Sequence, residues 1–271
     1  MTGKSVDHKR VRRHFSTRAS SYDRHAAVQK EVVEKLVTLL DATGPPTGQV
    51  LEVGAGTGML SERLMAGWPG VRPLLSDLAH DMNKIARRRL GELTAVDADC
   101  RALPFRSETF ALVCSSSVYQ WIEELSLAFA ESARVLSPGG RFAFALFGQG
   151  TLCELQESYR YANRQIGREP LHLHVFPDPD QIRRALAEAG FGEISLHLED
   201  RIEYHAEVAD LLRGIKGIGA ANASPLRPSG LASKQIMQGM MARYRHRFGE
   251  EQGIPATYRV IYVVSRKAGG E

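Results

Sequence analysis

The stretch Leu51-Glu-Val-Gly-Ala-Gly-Thr-Gly58 constrains the fold more than any other part of the chain. Gln49 to Val53 is a short apolar run that reads as a strand and passes directly into glycines 54, 56 and 58. Glycine at these positions lets the backbone turn sharply and approach a ligand closely. Thr57 to Ala66 then reads as a helix. The spacing is Gly-x-Gly-x-Gly, not the Gly-x-Gly-x-x-Gly that seats a dinucleotide pyrophosphate. Glu52 sharpens the point: a carboxylate there repels a pyrophosphate but suits a cationic ligand.

Downstream of the glycines the chain alternates. Val71 to Ser76 reads as a strand ending on Asp77, and Ala79 to Leu90 as a helix. Leu93 to Val96, Phe110 to Ser115 and Arg141 to Phe147 read as further strands, with a helix over Glu124 to Leu136 that Pro138-Gly-Gly140 breaks. Strands and helices in turn predict an α/β, doubly wound, mostly parallel sheet with helices on both faces. Helical patterns over Leu152 to Ile166, Asp178 to Ala189, Val208 to Ile215 and Lys234 to Phe248 follow, with strands over Ile194 to Leu198 and Thr257 to Ser265. Val28 to Leu40 is helical before the sheet begins, and Ser224 to Gly230 reads as a loop. The expected division is an N-terminal lid over 1–45, a core over 46–202 with a cap insertion at 148–177, a helical substrate cap over 203–250, and a final core strand and tail over 251–271.

The 271 residues, 43% of them hydrophobic, suffice for a full core, and 24% charged residues do not suggest disorder. Cys100, Cys114 and Cys153 have neither metal-binding nor Cys-x-x-Cys spacing, which points to free thiols in a reducing cytosol. The opening MTGKSVDHKR lacks an apolar stretch, and no apolar run reaches membrane-spanning length, so no signal peptide and no membrane partner are expected. The net charge of +4 is a mild basic excess. It gathers in residues 9–18 and in Arg243-Tyr-Arg-His-Arg247, without the aromatic interleaving of a nucleic-acid binder.

Three carboxylates fall at the carboxyl ends of strands, where open α/β sheets bind ligands. Asp77 is placed to take both hydroxyls of a ribose. Asp99 can accept from an adenine amino group, with the Cys100 N–H donating to the ring. Glu52-Val-Gly-Ala-Gly-Thr-Gly58, Asp77 and Asp99-x4-Pro104-Phe105 resemble the class I methyltransferase motifs, in order and at the usual spacing. The resemblance implies a seven-stranded sheet with helical caps and S-adenosylmethionine as cofactor, leaving S-adenosylhomocysteine as product. The cofactor-binding residues it implies are Tyr22, Gln29, Glu52, Gly54, Ala55, Gly56, Gly58, Asp77, Met82, Asp99, Cys100 and Ser115.

The flanks narrow the resemblance. Ala19-Ser-Ser-Tyr-Asp-Arg-His-Ala-Ala-Val-Gln29, Ser115-Ser-Ser-Val-Tyr-Gln-Trp121 and Gly150-Thr-Leu-x-Glu-Leu155 are similar to the malonyl-acyl-carrier-protein O-methyltransferases of biotin synthesis. So are Leu212-Arg-x-Ile-Lys-x-x-Gly-Ala-x-Asn222 and Ala256-Thr-Tyr-x-Val-Ile-Tyr262. Ser116 stands where that family usually carries Asn, and His172-Leu-His174 where an arginine is expected near the pocket. The implied reaction methylates the free carboxylate of a malonyl thioester on acyl carrier protein or coenzyme A. A carboxylate of pKa about 4 is already ionised at neutral pH, so no general base is needed. Alignment and exclusion of water are what remain. Tyr22, in the lid, is the candidate to cover the reacting centre, while Arg213 and Lys216 are candidates for the substrate carboxylate or the phosphopantetheine arm. Gln120 and Trp121 fall at the methyl-transfer edge, and Gly217-x-Gly219 brings backbone close to a neighbour. The basic stretches suit an acidic carrier protein, and a monomer or weak homodimer in the cytoplasm is expected. Two other readings share the core: a methyltransferase for a free small acid or quinol precursor, and a non-catalytic partner subunit.

Overall fold

A strand buried on both faces must be covered by helices on both sides, and β1 (Gln49–Val53), with four of its five residues buried, sets that requirement. The computed structural model describes residues 7–91, 93–168, 174–220 and 231–269. Beside β1 lie β2 (Leu74–Asp77), then β3 (Ala95–Asp97) on one side, and β4 (Phe110–Ser116), then β5 (Leu136–Phe147) on the other. All five are parallel. β7 (Ile254–Lys267) runs antiparallel between β5 and β6 (Phe191–His205), giving the order β3-β2-β1-β4-β5-β7-β6. The direction of winding reverses between β1 and β4, and a ligand crevice opens at such a switch point.

Strand residues alternate between two cores. Val50, Leu112, Ala143 and Tyr262 face the side covered by α3 (Ala27–Asp41), α4 (Met59–Gly67) and α10 (Leu231–Phe248). Leu51, Val113, Phe142 and Ile261 face α6 (Leu125–Val135) and α8 (Pro179–Glu188). On that second face Tyr119, Phe129, Phe142 and Phe144 pack edge-on or tilted, with Phe142 and Phe144 centroids 4.8 Å apart. Each such buried ring stabilises the fold by about 1.5–3 kcal/mol. α5 (His80–Leu90) packs on β2 and β3 through Ala86 and Leu75.

Three elements differ from the sequence reading. β6 extends over fifteen residues rather than Ile194 to Leu198. Its register with β7 continues to His205↔Ile254, so pairing rather than hydrophobic pattern sets its length. As an outer strand it leaves Leu198, Ile202 and Tyr204 exposed alongside Glu193 and Asp200. β5 begins at Leu136, before the glycine break, with a register shift against β4. The basic run forms a helix, α1 (His8–Arg18), whose first N–H groups are capped by the Asp7 carboxylate. α2 (Tyr22–His25) follows after a 3-10 turn over Ala19–Ser21.

α7 (Cys153–Gln165) and α9 (Val208–Gly217) both pack on α10. Tyr244 of α10 donates to the Pro255 carbonyl at 2.6 Å, tying cap to sheet. Gly217 ends α9 against the His25 ring, where a Cβ would lie 2.5 Å from the imidazole, and Gly219, at φ +77°, packs on the backbone of His14 and Phe15. The neighbour that needs both glycines is thus the N-terminal lid. Cys100 and Cys114 are buried free thiols and Cys153 an exposed one. Among the described residues no helix is long and apolar enough to cross a membrane, and no cluster of three metal-ligating side chains occurs. The loop read over Ser224 to Gly230, Asn222 and His172 lie outside the described residues.

Candidate active site

The turn after β1 carries Gly54, Gly56 and Gly58 at φ +66°, +55° and +85°. All three lie in the left-handed region that favours glycine. A Cβ at Gly54 would sit 2.2 Å from Val118, and one at Gly58 2.8 Å from Leu90, whereas one at Gly56 would meet nothing within 4 Å. Gly54 and Gly58 therefore permit close packing, and Gly56 leaves open space over the crevice. Asp77 at the end of β2 holds the turn in place: its carboxylate accepts from the Gly56 N–H at 2.8 Å and the Ala79 N–H at 2.7 Å.

A cavity opens above this turn. Gly54, Gly56, Asp77, Met82, Asp99 and Cys100 line it from the sheet side. Ser116, Ser117, Val118 and Trp121 continue the wall past β4, and His8, Val11, Phe15 and Tyr22 roof it from the lid. The Phe15 ring lies 6.4 Å from Tyr22 and 5.9 Å from Trp121, so the roof is largely aromatic. Two latches hold the lid. Asp23 of α2 accepts from Thr57 Oγ at 2.7 Å and pairs with Arg89, which also donates to the Thr57 carbonyl. His8 of α1 contacts Arg101, which binds both carboxylate oxygens of Asp99.

Burial governs the electrostatics. It pushes Asp77 up to about 6 against the two N–H groups that pull it down. It also raises Tyr22, aided by the nearby Asp23 and Asp77 carboxylates, and pushes Cys100 up to about 12. Asp99 is held below the usual carboxylate range by its hydrogen bonds from Arg101. Glu52 differs from the sequence expectation. It does not line the cavity; its carboxyl accepts from the Ser61 N–H at 3.1 Å and from the Ser61 hydroxyl, capping the first turn of α4. Burial pushes it up to about 8, so it is largely protonated at neutral pH and does not present an anion to a cationic ligand in this state.

The remaining sequence candidates divide. Ala55 is buried in the turn, donating to the Ser76 carbonyl, and Ser115 is fully buried in β4 next to the cavity wall. Gln29 and Arg213 line a second cavity, with Arg24, His25 and Tyr258, under α9. Arg213 is largely exposed and paired with Asp210, and Lys216 is exposed on the same helix. The structure does not bring either cation to the lining of the glycine-turn cavity; α9 packs on α2, α10 and β6 instead. His8, Val11 and Phe15 escaped sequence reasoning: α1 is basic, with only Val11 buried, and carries no apolar stripe to flag it.

Known proteins match this arrangement. A methyltransferase-domain family model matches residues 51–144. The malonyl-[acyl-carrier protein] O-methyltransferase of Geobacter sulfurreducens is 46% identical over 269 residues, covering 97% of this chain and 100% of that protein. The chain belongs to the malonyl-[acyl-carrier protein] O-methyltransferase family. A second member of that name, from Halorhodospira halophila, is 35% identical to this methyltransferase over 98% of its chain and 90% of the relative. Solved structures share the fold. The YcgJ protein of Bacillus subtilis matches at TM-score 0.59 and 18% identity, over 88% of this chain and 99% of that one. Phosphoethanolamine N-methyltransferase 2 of Haemonchus contortus, in complex with S-adenosyl-L-methionine, matches at TM-score 0.53 and 21% identity, over 87% and 52%.

The cofactor of this methyltransferase is S-adenosylmethionine. The cavity fits it on its own terms. A buried carboxylate on β2 suits a ribose diol, the open space over Gly56 admits a ligand against backbone, and the apolar side chains of Val53, Leu78 and Met82 suit a ring and an alkyl chain.

Proposed function

We propose that this methyltransferase esterifies the free carboxylate of a malonyl thioester borne by acyl carrier protein, an early step of biotin synthesis. One observation carries the reading: no group lining the cavity is disposed to deprotonate an acceptor. Tyr22 and Cys100 keep their protons, the His8 Nε2 accepts from the Arg101 guanidinium, which can only donate, Asp99 is occupied by Arg101, and Asp77 is committed to two backbone N–H groups. His174, tilted against Trp121, is held neutral with its pKa lowered to about 4 by burial, which makes it a weak base. A site without a base suits an acceptor that arrives as an anion, and a carboxylate does. The relatives' names agree, as does that of the biotin biosynthesis bifunctional protein BioHC of Teredinibacter turnerae, 32% identical over 96% of this chain and 47% of that protein.

The bound cofactor supplies an electrophilic methyl group on a sulfonium. In this reading Asp77 and Asp99 hold its nucleoside, Gly54 and Gly56 admit it against the backbone, and Tyr22 with the aromatic roof keeps water out. Helices α1 and α2 on one side and α9 and α10 on the other enclose the acyl arm. Lys9, Arg12 and Arg13 are exposed on α1 with no ion-pair partner among the described residues, and they face the acidic carrier. Arg243 and Arg245 contribute less, since Glu157 and Glu207 already pair with them. Arg213 and Lys216, away from the reacting centre, serve the phosphopantetheine arm.

The test is methyl transfer to malonyl-acyl carrier protein, malonyl-coenzyme A and free malonate, with mass spectrometry locating the new methyl. A methyl ester formed fastest on the carrier protein is expected. Equal rates on free malonate and the carrier-bound thioester would reject the carrier reading. A protein that fails to bind S-adenosylhomocysteine by calorimetry would be a non-catalytic subunit instead.

A further inference from the structure

The cavity has two chemically distinct ends. Asp77 at the end of β2 and Asp99 just after β3 mark the nucleoside end, so the reacting end lies across the switch point, beyond β4. There, three side chains that line the cavity carry buried polar atoms without a hydrogen-bond partner among the described residues: Ser116 Oγ, Ser117 Oγ and Trp121 Nε1. Buried polar groups are nearly always paired, so three unpaired ones on one wall call for a ligand.

The backbone gives a second, independent sign. Ser117 sits at φ +60°, an unfavourable conformation for a residue with a side chain. Its N–H donates to the Ala145 carbonyl at 2.8 Å, and its carbonyl accepts from Gln120 Nε2 at 2.8 Å. Strain of this kind persists where neighbours over-determine it, and it concentrates at ligand clamps. The Trp121 indole is fixed as well, with the His174 ring 4.8 Å from it and Phe176 packed 4.5 Å behind His174.

We infer that Ser116, Ser117 and Trp121 form a cradle of neutral hydrogen-bond donors that seats the acceptor carboxylate, with Gln120 and His174 as positioning residues. The inference rests on the function proposed above and assigns its anion-binding subsite. An indole N–H only donates, and two hydroxyls can both turn to donate, which matches a ligand that only accepts. Among the described residues no cation lines the cavity beside the three, and Arg213 lies in another cavity. His174 is itself neutral, its pKa lowered chiefly by burial, so it offers the indole a packing surface rather than a charge.

The experiment measures binding of malonyl- and acetyl-acyl carrier protein to the S-adenosylhomocysteine-loaded enzyme by calorimetry, alongside turnover. The two ligands differ only by the carboxylate. Trp121→Phe keeps the ring and removes the donor, and should weaken malonyl binding about ten- to a hundredfold while leaving acetyl binding within about twofold. Ser117→Gly removes a hydroxyl at a position whose φ glycine tolerates, so it keeps the question open should Trp121→Phe fail to fold; it should show the same selective loss. His174→Ala should lower malonyl affinity and His174→Phe restore it, as a packing role requires. Equal losses for both ligands would make the residues structural, a parallel loss of S-adenosylhomocysteine affinity would assign the donors to the cofactor, and unchanged malonyl preference would leave no cradle; each overturns the inference. If the wild-type enzyme binds malonyl- and acetyl-carrier protein equally and methylates neither, the proposed function falls and the cradle with it. Wild-type turnover with unselective variants refutes the cradle alone.

Discussion

Asp77→Asn separates the two tasks of one carboxylate, ordering the glycine turn and holding the ribose. An asparagine keeps one acceptor for the Gly56 and Ala79 N–H groups and turns an NH2 toward the other. Leaving one backbone donor unsatisfied costs about 1–3 kcal/mol. Against that, the substitution removes a buried charge. Burial raises Asp77 from 3.8 to about 6, and at about 1.4 kcal/mol per pH unit this charge destabilises the apo-protein by about 3 kcal/mol at neutral pH. The two effects nearly cancel, so the variant should unfold in urea within about 1–2 kcal/mol of wild type. Cofactor affinity has no such compensation: each charge-assisted bond to a diol is worth about 1.5–3 kcal/mol, so the Kd for S-adenosylhomocysteine should rise about 100-fold at pH 8. The pH dependence is the sharper test. A diol donates best to the ionised carboxylate, so wild-type Kd should improve about tenfold per pH unit up to about pH 6 and then level off. The apo-protein should behave oppositely. The folded state binds the extra proton, so its stability falls as pH rises from 3.8 through about 6. Asp77→Asn should flatten both curves. Wild-type affinity that is flat between pH 5 and 7, or a variant within threefold of wild type at pH 8, would refute the reasoning.

Other perturbations read neighbouring parts of the site. Glu52→Gln removes a carboxyl that burial raises from 4.5 to about 8, so the decline of wild-type stability across that window should shrink in denaturation curves of the variant. Gly54→Ala places a methyl 2.2 Å from Val118 at φ +66° and should destabilise the fold by more than about 1 kcal/mol, with S-adenosylhomocysteine affinity falling as Val118 moves into the cavity. Tyr22→Phe should slow turnover with the melting temperature held, because burial keeps the hydroxyl protonated and its loss removes a neutral donor at the cavity rather than a charge; a wild-type rate would take that hydroxyl out of the mechanism.

How much of this was legible depends on where each residue's position is decided. β1, β4 and the inner part of β5 are buried on both faces, so apolar runs alone announce them. The glycine turn and the strand-end aspartates are tied to those strands by local chain geometry, and the structure gathers Gly54, Gly56, Asp77, Asp99 and Cys100 around one cavity. β6 resisted because fifteen half-exposed, charge-bearing residues become a strand only by pairing with β7. α1 resisted because it buries only Val11 and reaches the site by docking through Phe15, His8 and Arg101. Arg213 and Lys216 share the motif-bearing segment of α9, yet which way a cap helix faces follows from its contacts with α2 and α10, which a local pattern does not encode.

Among the described residues no cation lines the acceptor end, and this has a physical rationale. Transfer of a methyl group from a cation to an anion destroys both charges, so polar surroundings stabilise the reactants more than the transition state and slow the step. A fixed arginine on the carboxylate would add to that handicap by holding charge that the reaction must dissipate. Neutral donors align the same oxygen atoms with less of this penalty, while the opposite charge of the bound cofactor offsets the desolvation of the anion. The surrounding wall is consistent with such chemistry: Val11, Phe15, Val53, Met82, Val118 and Ile122 are apolar, and Glu52 beneath the turn is mostly protonated. The latches at Asp23–Arg89 and His8–Arg101 then acquire a chemical role, because a lid that stays shut keeps out the water that would otherwise solvate the carboxylate.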